Sequence, residues 1–331
     1  MKVKSHIRRR RPLNSFALSR HGAQEVAVTT LAPTVGHLVR INPLTVEPSK
    51  TDKLLQVSLS RDGECHAPVA GVQSANLHVT RDGRHVANCA TRRALAELWL
   101  RDAEAEYASV PAFGQVAWQL AALGSPASLL ARANRGALDE IDHAERCYAL
   151  ASAYAGRALG PAPMRRLSRG MGKLPRSRAK ALSVVAGEAL VGGAFLESYN
   201  AALAHAWLED ATEAASREAL TRMAVDEASH AELAWDIIAF CIDSGGEPVV
   251  RRLRGVARLV AVLPTPAAYR HEHLALVALA DPHALRAHGR GRPEAWALTY
   301  ASCRNETLTR LERLLAGAPR KPISSIEVTP S

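Results

Sequence analysis

Leu138-Asp139-Glu140-Ile141-Asp142-His143-Ala144-Glu145 and Val225-Asp226-Glu227-Ala228-Ser229-His230-Ala231-Glu232 are two copies of one pattern, Asp-Glu-x-x-His-Ala-Glu. A glutamate and a histidine three residues apart project from one face of a helix, so a carboxylate oxygen and an imidazole nitrogen can reach the same metal ion. One such pair is weak, because Glu and His are ordinary surface residues. A second copy in the matching place of another helix makes a shared metal centre the economical reading, since buried charges need partners.

Working outward, the punctuation predicts four long helices. The first runs from about Thr91 to Leu123 and stops at Gly124. Ser125 is expected to cap the second, with Pro126 in its first turn and the end near Gly156. A third extends from about Ser177 to Glu209, and Asp210 or Thr212 caps a fourth that ends at Gly245 and Gly246. Shorter helices follow between Pro248 and Gly317, broken at Pro264, Pro266, Pro282 and Pro293. The connection from Arg157 to Arg176 is long enough, at about 3.3 Å per residue, to cross the length of a bundle, whereas the other two permit only antiparallel neighbours.

A bundle site built on two Glu-x-x-His pairs needs one further carboxylate from each partner helix. In an antiparallel hairpin, ligands at one height lie equally far from the loop. Glu140 is 16 residues past Gly124 and Glu106 is 18 before it, which puts both about 25 Å along their helices. Glu227 is 17 residues past Asp210 and Glu197 is 13 before it, a fit looser by about a turn. Glu188 competes with Glu197 but lies about 13 Å further along the axis. Glu104 competes with Glu106 from another face, and Tyr107, Val110, Phe113 and Trp118 are expected to give the Glu106 side its core. Pro111 is expected to kink or restart the first helix, and Gly192-Gly193 to loosen the third.

Glu106, then Glu140 with His143, then Glu197, then Glu227 with His230 resembles the ferritin-like di-iron carboxylate superfamily over residues 92 to 245. More narrowly, Tyr107-Ala108-Ser109-Val110, Ala151-Ser152-Ala153-Tyr154-Ala155-Gly156 and Glu232-Leu233-Ala234-Trp235 look like uncharacterised bacterial ferritin-like-domain proteins. The resemblance implies a four-helix bundle with one long crossover and two iron ions on those six residues. It also implies that Asp139 and Asp226, directly before the motif glutamates, orient the histidines. Such a carboxylate accepts the free ring N–H and fixes the tautomer. Four carboxylates and two imidazoles suit iron, or manganese or a mixed pair, better than zinc or magnesium.

The expected domains are a basic disordered tail at 1–15, a β-rich segment at 16–90, the bundle at 91–246, C-terminal helices at 247–317 and a flexible tail at 318–331. In the second of these, Leu55 to Ser60 and Ala75 to Thr80 alternate apolar with polar residues and each runs into Arg-Asp-Gly. With 331 residues, 47% of them hydrophobic, the chain can bury a core without metal or disulfide staples. Five widely spaced cysteines without a CxxC argue against a disulfide framework or zinc ribbon and for a reducing compartment. Cys147 and Cys241 read as buried packing residues rather than thiolate ligands. No apolar window of about twenty residues is evident, so the expectation is a soluble cytoplasmic protein outside the membrane.

Part of the net charge of +10 sits in eight basic residues between Arg157 and Lys180, a stretch without an acid. It reads as a solvated loop, or as a dock for an acidic redox or carrier partner, with nucleic acid unlikely. Three functions compete. The first is an oxygen-dependent oxidase or oxygenase acting on dioxygen and a small organic substrate, the second a ferroxidase or iron-storage protein, and the third a helical module for an acidic partner.

Overall fold

The computed structural model describes residues 89–164, 173–265 and 271–317, which form eight helices and no strand. These are α1 (Cys89–Leu123), α2 (Ala127–Ala155), α3 (Arg178–Leu208), α4 (Ala214–Gly245), α5 (Glu247–Ala261), α6 (His271–Leu279), α7 (Pro282–Ala287) and α8 (Pro293–Gly317). The chain is mainly α. The β-rich segment and both tails expected from the sequence lie outside the described residues, apart from Cys89 and Ala90, which begin α1.

The helix ends follow glycine and carboxylate chemistry, with two corrections to the expected caps. Gly124 takes a left-handed backbone (φ 65°) between α1 and α2, and the Ser125 amide donates to Leu120 O at 3.0 Å. The expected Ser125 cap is therefore overturned: Pro126 occupies the cap position and no side chain caps the helix. At α4 the cap is Glu213 rather than Asp210 or Thr212. Its carboxylate accepts from the amides of Ala215 (3.1 Å) and Ser216 (2.6 Å), adding negative charge where the helix dipole is positive. Pro111 does not restart α1, which continues as one helix through it.

The short turns make α1–α2 and α3–α4 antiparallel hairpins. Three contacts fix how the hairpins meet. Arg178 Nη2 donates to Leu123 O at 3.0 Å, so α3 begins beside the α1–α2 turn, at the opposite end of α2 from Gly156. At the far end, Tyr154 near the finish of α2 lies 3.5 Å from Ser216 at the start of α4. Back beside the turn, Leu182 of α3 lies against Gly245 at the finish of α4. The chain between α2 and α3 therefore travels back along about 40 Å of helix, and α2 and α3 run parallel.

α3 corrects the expectation that no apolar window exists: Arg178–Leu208 is long and apolar enough, by length and composition, to cross a membrane. Its apolar window is mostly buried inside the protein. α4 packs on one side of it, α5 on its first half and α8 on its second. A helix enclosed on several sides reads as hydrophobic all round. α5 supplies Val249, Val250, Leu253, Val256 and Val260 to that enclosure.

Within α3 the nine residues Ala189–Glu197 wind as a π-helix. Here the structure gives physical content to the pair Gly192-Gly193. A Cβ at Gly193 would stand 2.3 Å from the Ala234 Cβ of α4, so glycine lets the wider turns approach that helix. Cys89 is disulfide-bonded, whereas Cys147, Cys241 and Cys303 are free and buried. Burial pushes the Cys147 and Cys241 thiols up, the latter to about 12, so both pack as neutral groups.

Candidate metal centre

The middle of the bundle is acidic. Glu106 on α1, Glu140 and His143 on α2, Glu197 at the end of the π segment, and Glu227 and His230 on α4 are all 4% exposed or less. Glu106 faces inward because its face of α1 continues as Ala103, Phe113, Ala117 and Leu120, all buried. Trp118, expected on that face, is instead 48% exposed. Glu104 points outward and pairs with Arg101 at 3.1 Å. Glu188 is also excluded from the cluster, accepting from Gln119 Nε2 at 2.9 Å, whereas Glu197 lies against Glu227 and His230.

Each histidine turns its Nδ1 toward the carboxylates. His143 Nδ1 lies 3.5 Å from Glu106 Oε2, 3.6 Å from Glu227 Oε1 and 3.9 Å from Glu140 Oε2. His230 Nδ1 lies 3.4 Å from Glu140 Oε1 and 3.7 Å from Glu227 Oε2. Glu140 and Glu227 thus offer one oxygen to each histidine. Glu106, Glu140, His143 and Glu227 bring ligand atoms within 4.8 Å of one another and could hold a metal ion.

The outer nitrogens are tied across the repeat. His143 Nε2 donates to Asp226 Oδ2 at 3.1 Å, and His230 Nε2 donates to Asp139 Oδ2 at 3.3 Å. The aspartate of each motif therefore supports the histidine of the other. With Nε2 protonated, the Nδ1 lone pair of each ring faces inward. Phe113 packs on the His230 ring with centroids 4.7 Å apart.

Two residues of this arrangement escaped the sequence reading. Arg222 Nε lies 2.8 Å from Asp226 Oδ2, and its guanidinium is 3.7 Å from both Asp139 and Asp142. One half-exposed arginine thus braces both supporting aspartates. The signal was its place four residues before Asp226, one helical turn back on the same face. Asn200, three residues after Glu197, donates from Nδ2 to Glu197 Oε2 at 3.1 Å. Glu232, in contrast, serves the surface, where Arg310 grips it with bonds of 2.5 and 2.7 Å.

Burial and mutual repulsion dominate the electrostatics of the cluster. Burial, then the charges of Glu140 and Glu227, holds the Glu106 carboxyl well above the usual range. Burial and Glu227 do the same to Glu197. For His230, burial opposes the charge, but the hydrogen bond to Asp139 and the nearby carboxylates of Glu140 and Glu227 outweigh it and push the ring upward. Burial alone would raise Asp139 as well. The His230 bond, with the charges of His143 and Arg222, holds it below its ordinary value instead. Both oxygens of Glu106, Glu140 and Glu227, Glu197 Oε1 and both Nδ1 atoms are buried without a hydrogen-bond partner among the described residues. Orphaned acceptors at this density are costly unless a cation satisfies them.

No protein-family model matches the chain, and none of the curated proteins or solved structures matches it either.

Proposed function

We propose that the protein is a ferritin-like di-iron carboxylate protein that holds two divalent ions and oxidises a small organic substrate with dioxygen. The observation that carries this reading is the split of Glu140 and Glu227, each giving one oxygen toward His143 and the other toward His230. Two positions follow from it. One comprises Glu106 and His143, the other Glu197 and His230, with Glu140 and Glu227 shared. Four carboxylate charges would balance two divalent ions, which would offer partners to the buried acceptors of the cluster. The two antiparallel hairpins with parallel α2 and α3 support the ferritin-like arrangement.

Carboxylate and imidazole donors suit iron, with manganese or a mixed pair as alternatives. When bound, two ferrous ions supply two electrons to dioxygen. The residues of the chain do the rest. Asp139 and Asp226 keep Nε2–H on the histidines and so keep Nδ1 available. Phe113 and the surrounding apolar core exclude water from the reacting centre. The oxidase reading, rather than iron storage, is supported by these two Asp–His pairs, which the resemblance associates with oxygen activation. The basic stretch from Arg157 to Lys180 would recruit an acidic redox or carrier partner.

The test is anaerobic loading with ferrous ion followed by air. Two irons per chain and loss of the ferrous ions with uptake of dioxygen are expected. A chain that binds no iron, or binds it equally well as Glu140→Ala, overturns the reading.

A further inference from the structure

Resting on the two-ion reading above, we infer that the two positions are unequal: the His143 position fills first, and Asn200 keeps the His230 position weaker by engaging one oxygen of Glu197. The two outer carboxylates show the difference directly. Glu106 has both oxygens buried and unpartnered among the described residues. Glu197 has only Oε1 in that state, because Asn200 Nδ2 donates to Oε2 at 3.1 Å. Asn200 is itself 2% exposed and sits one turn along α3 from Glu197, so it bonds the carboxylate inside the core.

Around the first position, ligand atoms of Glu106, Glu140, His143 and Glu227 already stand within 4.8 Å of one another. The first ion therefore meets a formed set of ligands at the His143 position. It neutralises Glu106 and shares Glu140 and Glu227, the two carboxylates the second ion also needs. What remains for the second ion is Glu197 as the one unshared charge, with an oxygen already held. Fewer available oxygens and less unspent charge both lower affinity for a hard divalent cation. Asn200 acts here as a positioning residue, through Glu197.

The experiment is a titration of the metal-free full-length protein with manganous ion, followed by equilibrium dialysis and electron paramagnetic resonance. The wild type is expected to bind the second ion about tenfold to a hundredfold more weakly than the first, the range of one hydrogen bond to an ionised group. At one equivalent the spectrum should be that of isolated ions, with the spin-coupled signal of a pair growing only toward two. Glu197→Gln should keep the tight step and lose the weak one, and Glu106→Gln should lose the tight step. Asn200→Ala frees Glu197 Oε2, so the weak step should tighten toward the strong one while the first stays in place.

Two ions bound with equal affinity, and coupled already at one equivalent, would overturn the inference and leave the two-ion reading intact. So would a tight step that survives Glu106→Gln, or a weak step that Asn200→Ala weakens or leaves unmoved. Absence of binding in the wild type would overturn both readings, and the wild-type titration decides this even if a variant fails to fold.

Discussion

The two hairpins each carry two buried glutamates and a buried histidine and build the set from differently wound helices. In the first, Glu106 stands on a continuous α-helix that tolerates Pro111, and nothing described engages its oxygens. In the second, Glu197 ends nine residues of π-helix, with Gly193 pressed to Ala234 and Asn200 on its carboxylate. The arrangement is thus symmetric within the duplicated motif and asymmetric at Glu106 and Glu197, which lie outside it. A repeat in sequence fixes the residues that lie inside it, while the partner helices can differ. π-helical turns are often retained at functional sites, and here the segment delivers Glu197 to Glu227.

The strongest way to break this comparison is to remove a shared ligand. Glu140→Ala or Glu227→Ala should abolish both ions, taking metal content from two per chain to none by elemental analysis. Removing an outer ligand should cost one. A surviving single ion in Glu140→Ala would mean that the halves do not share their bridges.

A smaller effect sharpens the cross-connection between the hairpins. Asp226→Asn should weaken the ion on His143 by about tenfold to a hundredfold, the usual cost of losing such a support. Asp139→Asn should do the same to the ion on His230. Arg222→Met, because it braces both aspartates, should weaken both steps of a metal titration together. An effect confined to the ion of the substituted residue's own hairpin would contradict the crossed pairs.

Smaller again are the glycine substitutions. Gly193→Ala forces a methyl into Ala234 and should cost about 1–3 kcal/mol, read from chemical denaturation. Gly114→Ala on α1 meets nothing within 4 Å and should stabilise by about 0.5–1 kcal/mol. The last expectation concerns pH. Glu106 and Glu197 are held above the ordinary carboxyl value of 4.5, so the metal-free fold binds more protons than the unfolded chain. Its stability should be greatest below that value and fall as pH rises through the raised range. Bound metal replaces those protons, and the Tm of loaded protein should rise over the same interval.

The helices and the inner residues of the cluster were legible because they obey periodicity: Glu140, His143, Glu227 and His230 repeat, and Gly124, Gly156 and Gly246 mark helix ends. The helical face favoured Glu106 over Glu104, and counting residues from the loop favoured Glu197 over Glu188; Glu106 and Glu197 are buried, whereas Glu104 pairs with Arg101 and Glu188 accepts from Gln119. What the sequence hid depends on neighbours distant along the chain. Trp118 has the composition of a core residue but faces outward, and the apolar stretch of α3 hid its function because Glu188 and Glu197 interrupt it. Glu213 displaced the more usual Asp210 and Thr212 as a cap through a choice of backbone that composition does not encode. Asn200 and Arg222 are common polar residues until the carboxylates they hold are known.

The crossed pairs of His143 with Asp226 and His230 with Asp139 have the form of a contact between identical partners, in which residue i meets j and j meets i. In neither α2 nor α4 does the motif aspartate bond its own histidine. A half-length chain carrying one hairpin would make these same bonds by pairing with a second copy of itself. Two halves in one chain need no second copy, and each can carry a different outer helix, as the π-helical turns of α3 and the continuous α-helix of α1 show.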